Sequence, residues 1–175
     1  KVMKLNSKAR TLKNLKIKGA IIPKLEIYKT KHYHDNTNYI IRNISKNFKS
    51  NIAIRSSSNE EDQANKSNAG KFVSYLNINP NNYSEVNDKI KNIIKSYKKK
   101  AWSNEFFVQS MVTNIKISGV ILTRNLEDYT PCININYSSG KDSAAVTGGK
   151  KGSQNLIYIE NKKYKIDKKF KNLLQ

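Results

Sequence analysis

After Trp102 the apolar residues change period, and a chain that switches period midway cannot fold as one repeating layer. Before that point the clearest pattern is Ser84 to Lys100. There Val86, Ile90, Ile93, Ile94 and Tyr97 form one stripe at helical spacing. Glu85 and Asp88 sit in its first turns and Lys98, Lys99 and Lys100 in its last, complementing the helix dipole. Beyond Trp102 five strands are expected: Phe106 to Val112, Ile117 to Thr123, Cys132 to Tyr137, Ser143 to Thr147 and Asn155 to Glu160. Asn125 to Pro131 and Ser138 to Asp142 read as connecting turns.

The first half mixes both types. Ser7 is placed to cap a helix from Lys8 to about Lys16, with Ala9, Leu12 and Leu15 on one face. Leu25 to Tyr28, Asn51 to Ser56 and Phe72 to Asn77 read as strands, and Asp35 to Phe48 as a helix with Ile40, Ile41, Ile44 and Phe48 inward. Lys168 to Leu174 reads as the start of a further helix. No internal repeat is visible. An α+β architecture follows, with a helix/strand lobe over 1–102 and a β-rich lobe over 103–175.

Composition removes several classes. No apolar run approaches the roughly 20 residues of a membrane span, and Lys1 to Lys18 lacks the apolar centre of a secretory leader. The single Cys132 excludes an internal disulfide framework and a cysteine-rich zinc site, which suits a cytoplasmic address. The 175 residues carry a net charge of +20. Yet only four of the 33 basic residues are Arg, and the other 29 Lys with 24 Asn and 21 Ile make 74 residues with A/T-rich codons. Codon bias therefore accounts for much of the charge. A dedicated nucleic-acid reader draws more on Arg for bidentate contacts. A basic module binding RNA or DNA through lysine stays as the competing reading, and a non-catalytic interaction partner as a third.

Four segments carry chemistry. In Ala53-Ile54-Arg55-Ser56-Ser57-Ser58 a buried strand ends in a guanidinium and three hydroxyls, donors suited to phosphate oxygens; the competing role for Arg55 is an ion pair with Glu60 or Glu61. Asn68-Ala69-Gly70-Lys71-Phe72 offers a glycine that lets backbone N–H groups approach an anion, or an ordinary turn into a strand. Lys8 stands in the first turn of a helix, where anions are favoured, or is one more solvated lysine. Phe107-Val108-Gln109-Ser110-Met111-Val112 and Ser118-Gly119-Val120-Ile121-Leu122-Thr123-Arg124 flank a polar turn like a hairpin, and a strand crossing between lobes can present its backbone to a flat base.

Other attractions fail. Gly148-Gly149-Lys150-Lys151-Gly152-Ser153 and Gly140-Lys141-Asp142 do not fit the phosphate-loop pattern G-x-x-x-x-G-K-[ST]. His32 and His34 have no Cys or acidic cluster beside them and read as a surface loop rather than metal ligands on a strand. Cys132 reads as an inert buried thiol.

In order, these segments resemble the N-terminal nucleotide-binding domain of the phosphoenolpyruvate synthase and pyruvate phosphate dikinase family, which is similar to ATP-grasp folds. Ser7-Lys8-Ala9-Arg10-Thr11-Leu12 stands where that family has G-G-K-x-x-x-L. Ile52 to Asp62 follows V-A-V-R-S-S-x-x-x-E-D, and Ala69 to Asn77 follows A-G-x-x-x-T-x-L-N. Val108 to Val112 matches V-Q-x-M-V, and Ser118 to Asn125 matches S-G-V-x-F-T-R-N. Asn6-Ser7 replaces the glycine pair, Leu126 the proline after T-R-N, and Tyr137 to Ser143 the usual G-L-G-E segment. That last variant resembles a branch near bacterial capsule genes that includes an L-glutamine kinase.

The resemblance implies that Lys8, Arg55 and Ser56 meet ATP phosphates and that the loop around Gly70 and Lys71 covers them. It implies that Gln109, Met111 and Val112 hold adenine between lobes and that Thr123 and Arg124 border the cleft. It implies Mg2+ between the phosphates, with the metal-binding and phosphate-binding residues supplied by later D-x-E and Q-x-R-P segments that do not occur before Gln175. A mobile histidine domain would pass the phosphoryl group to a small acceptor such as L-glutamine or pyruvate. With Lys1 rather than Met at its start, the chain reads as a fragment, incomplete at its C-terminus and inactive without its partner domains.

Overall fold

The computed structural model describes residues 7–58, 73–97, 103–125 and 128–139, and the backbone of 154–159. The chain divides into two compact units, Lys1–Met111 and Val112–Gln175.

The first unit is built on a four-stranded antiparallel sheet. Its strands are β1 (Leu25–Lys29), β2 (Ile52–Ser57), β3 (Ser74–Ile78) and β4 (Glu105–Ser110), in the order β1-β4-β2-β3. Helices α2 (Thr30–Asp35), α3 (Thr37–Asn47) and α4 (Tyr83–Ser96) supply the rest of the core, and α1 (Lys8–Asn14) precedes β1. Alternation along the strands sends Ile52, Ile54, Phe106 and Val108 to the core, where they meet Ile40, Ile41, Ile44, Phe48, Val86, Ile90, Ile93 and Tyr97. Phe106 lies at the centre, stacked on Tyr28 with centroids 5.5 Å apart and edge-on to Tyr33 at 5.6 Å. Burying each such side chain contributes about 1.5–3 kcal/mol.

The stripes expected for α3 and α4 are the buried ones. Helix α4 begins at Tyr83 because the Asn82 side chain accepts the Glu85 N–H at 3.2 Å while its amide donates to the Glu85 carboxylate. It ends at Ser96, with Tyr97 extended, and Lys98, Lys99 and Lys100 lie outside the described residues. Helix α2 replaces the loop or strand expected around His32 and His34. Its six residues are too few to show a period; burial of Thr30 and Tyr33 holds it, and the Thr30 N–H and hydroxyl both donate to the Asn104 carbonyl.

Strand β4 moves the expected lobe boundary. It lies inside the first sheet, hydrogen-bonded to β1 on one side and β2 on the other, so the first unit extends past 102 to Met111. The second unit is a three-stranded antiparallel sheet of β5 (Ile117–Arg124), β6 (Pro131–Ser139) and β7 (Gln154–Ile159), in that order. Strands β4 and β5 therefore do not form the expected hairpin; each pairs only within its own sheet. A Cβ on Gly119 would stand 2.6 Å from the Asn136 carbonyl oxygen, so β5 approaches β6 there as only glycine allows. The strand and helix expected at Ser143 to Thr147 and Lys168 to Leu174 lie outside the described residues.

Candidate functional site

The face of the first sheet opposite the helical core is assembled by register. Arg55 pairs with Phe107, Ser57 with Glu105 and Ala53 with Gln109, so these six residues share one face. Arg55 is half-buried, and its Nε is fully buried without a hydrogen-bond partner among the described residues. Among the described residues no carboxylate pairs with it. The acids expected as competitors, Glu60 and Glu61, lie outside the described residues. A buried donor left unmatched costs about 1–3 kcal/mol, and such groups gather where a ligand completes them.

The three hydroxyls after Arg55 do not act together. Ser56 is buried and alternates away from Arg55, toward the face of Ile54, so it does not join the guanidinium as expected. Ser57 shares the Arg55 face and accepts the Ala9 N–H at 3.1 Å. Ser58 is buried and donates to the Asn104 side chain at 3.1 Å.

Helix α1 sits at the same end of the sheet. Ser7 is its N-cap residue but makes no capping bond; its hydroxyl donates to the buried Glu105 carboxylate instead. Arg10 donates to that carboxylate from Nε and Nη2, at 3.1–3.3 Å. The helix stops at Asn14, short of the expected Lys16. Lys8 is exposed in its first turn, between two anchored neighbours. The Tyr97 hydroxyl accepts from Ser57 N–H at 3.1 Å and donates to the Glu105 carbonyl at 2.6 Å, joining the ends of β2 and β4. Sequence reasoning passed over Glu105, Arg10 and Tyr97. The available signal was an acid at the head of the apolar run Phe106-Phe107-Val108, since a buried carboxylate requires donors.

Gly70 and Lys71 lie outside the described residues. Gln109 is half-buried on the Arg55 face. The Met111 N–H, expected to face a base, already donates to the Asn51 carbonyl at 2.9 Å, and the Ser110 N–H to that of Lys24. Val112 is 57% exposed and opens the second unit.

In that second unit Thr123 and Arg124 are exposed at the end of β5. The Arg124 guanidinium donates to the Tyr129 carbonyl at 3.1 Å, closing the β5–β6 turn. The Thr130 N–H holds the Asp128 carboxyl below its ordinary range. Cys132 is buried, as expected.

Two phenols in the first unit titrate high. Burial, reinforced by the Asp88 charge, pushes Tyr33 up to about 12. Burial and the Glu26 hydrogen bond raise Tyr28 as well. No group of three or more His, Cys, Asp and Glu capable of holding a metal occurs among the described residues. His32 and His34 lie two apart on α2, on opposite sides of a helix, and do not converge. No helix among the described residues is long and apolar enough to cross a membrane.

An antiparallel sheet with helices packed on one face and the Arg55 side chain on the other is an α+β domain. Residues 2–172 match the family described as pyruvate phosphate dikinase, AMP/ATP-binding domain, and the chain belongs to that family. It is the ATP-binding domain of a phosphotransferase of the phosphoenolpyruvate synthase and pyruvate phosphate dikinase type, with an ATP-grasp-type fold. No curated protein matches the chain.

Proposed function

We propose that ATP binds with its phosphates against the Arg55 face of the first sheet. The observation that carries this is the buried Arg55 Nε without a partner among the described residues, a donor suited to a phosphate oxygen. Arg55 supplies fixed positive charge, Lys8 adds an ammonium from the first turn of α1, and the segment around Gly70 and Lys71 adds backbone donors. Gln109, on the same face as Arg55, meets the base. Positioning and charge neutralisation are what this chain contributes to phosphoryl transfer.

The described residues do not fit a protein-held Mg2+, since they contain no group of three or more His, Cys, Asp and Glu that could hold one. The further parts of the proposal are a cytoplasmic enzyme, a histidine on another domain that receives the phosphoryl group, and L-glutamine or pyruvate as final acceptor. Resemblance to the capsule-associated branch supports the first of those acceptors.

Calorimetry with Mg-ATP and with a single-stranded oligonucleotide, at two salt concentrations, tests the reading. ATP heat that survives added salt and vanishes in Arg55→Ala is expected. Oligonucleotide binding that falls steeply with salt, with no ATP heat, would establish the basic nucleic-acid module instead.

A further inference from the structure

Helix α1 has seven residues, too few to persist by its own hydrogen bonds. What holds it is tertiary. The Ser7 hydroxyl and two nitrogens of Arg10 converge on the Glu105 carboxylate, and the Ala9 N–H meets Ser57 Oγ. Positions 7, 9 and 10 are thus anchored to the ends of β2 and β4, while Lys8 between them is exposed. Ala9 is fully buried beneath the same turn. The Glu105 side chain is only 9% exposed and Arg10 is 50% exposed, so the carboxylate is the fixed member of the group.

We infer that Glu105 is a positioning residue, which acts through Ser7 and Arg10 to hold the Lys8 ammonium where it meets the nucleotide. The inference rests on the ATP reading above. An exposed lysine on a loose segment contributes little, because ordering the long side chain and its backbone consumes the gain. A lysine whose neighbours are already anchored has less entropy left to lose on binding. Glu105 does this without touching the nucleotide.

The test is a double-mutant cycle in ATP affinity between Glu105→Gln and Lys8→Ala, with melting curves for each variant. Glu105→Gln keeps the volume but places an amide donor against donors. Each single variant is expected to weaken ATP binding about tenfold. The double variant should be no weaker than Lys8→Ala alone, because a released helix has nothing left to misplace. Lys8→Ala should lower the melting temperature less than Glu105→Gln does.

Multiplicative losses would overturn the inference, and so would a Glu105→Gln protein that melts earlier yet binds ATP normally. An unaffected Lys8→Ala would overturn it too. If Glu105→Gln fails to fold, Arg10→Gln removes the same tie from the exposed side and enters the same cycle. Arg55→Met separates the two readings. If it weakens ATP binding while the cycle shows no coupling, only the role of Glu105 falls. If the unaltered protein binds no ATP, both fall.

Discussion

Replacing Arg55 by Met should make the free protein more stable and the ATP-bound protein less so. The side chain lies among Ala53, Ser57 and Phe107 on a sheet face, with Nε buried and unmatched. Methionine fills similar space without a donor to satisfy. Because Arg55 is only half-buried, the lower end of the range for an unsatisfied group applies, about 1 kcal/mol. For a chain of this size that raises the melting temperature by about 2–4 °C. With ATP the order reverses. At a ligand concentration of 100 times Kd, binding stabilises the unaltered protein by about 2.7 kcal/mol. Losing a charge-assisted contact worth about 1.5–3 kcal/mol weakens affinity roughly 10- to 150-fold and removes about half to nearly all of that gain. The unaltered protein should then lead by about 1 kcal/mol, so melting temperatures plotted against ATP concentration must cross. Differential scanning fluorimetry over an ATP series reads this directly. A variant that melts earlier without ATP would show that Arg55 has a protein partner after all. Parallel curves would remove Arg55 from the site.

Two further outcomes follow from the same geometry. Because burial raises the Tyr33 phenol to about 12, the unfolded chain loses that proton near its ordinary pKa of 10.0 while the folded one keeps it. Stability should therefore be undiminished below pH 10 and fall as the pH rises toward 12, and Tyr33→Phe should make the fall shallower without abolishing it, since Tyr28 shifts the same way. Alkaline urea titrations of both proteins measure the slopes, and equal slopes would contradict the burial argument. Gly119→Ala should cost about 1–3 kcal/mol by forcing β5 from β6, because its Cβ would lie 2.6 Å from a carbonyl oxygen; an unchanged urea midpoint would show that the strands yield freely.

Much of the fold was legible locally. The stripes Ile40-Ile41-Ile44 and Val86-Ile90-Ile93 announced α3 and α4 because a helix buries one face at a fixed period, and each stripe lies within one stretch of chain. Strands β2, β4, β5 and β6 were read from short apolar runs for the same reason. Helix α2 was not, because six residues held by Thr30 and Tyr33 carry too short a pattern. Strand β4 was recognised as a strand yet assigned to the wrong lobe, since its partners Leu25 to Lys29 and Ile52 to Ser57 are distant in sequence.

The candidate site divides in the same way. Arg55 could be nominated from its own segment, because a guanidinium closing an apolar strand is unusual and is visible in six consecutive residues. The sequence by itself determined helices α3 and α4, most strands, the absence of an internal disulfide and the order of the chemistry-bearing segments, all of which depend on neighbours along the chain. Only the tertiary structure decided that Ser56 faces away from Arg55, that Ser7 serves Glu105 instead of capping its helix, and that the Arg55 Nε has no partner among the described residues. Whether a buried polar atom is satisfied depends on what the rest of the chain brings to it, and in the Ser7–Glu105 pair the two residues stand 98 positions apart.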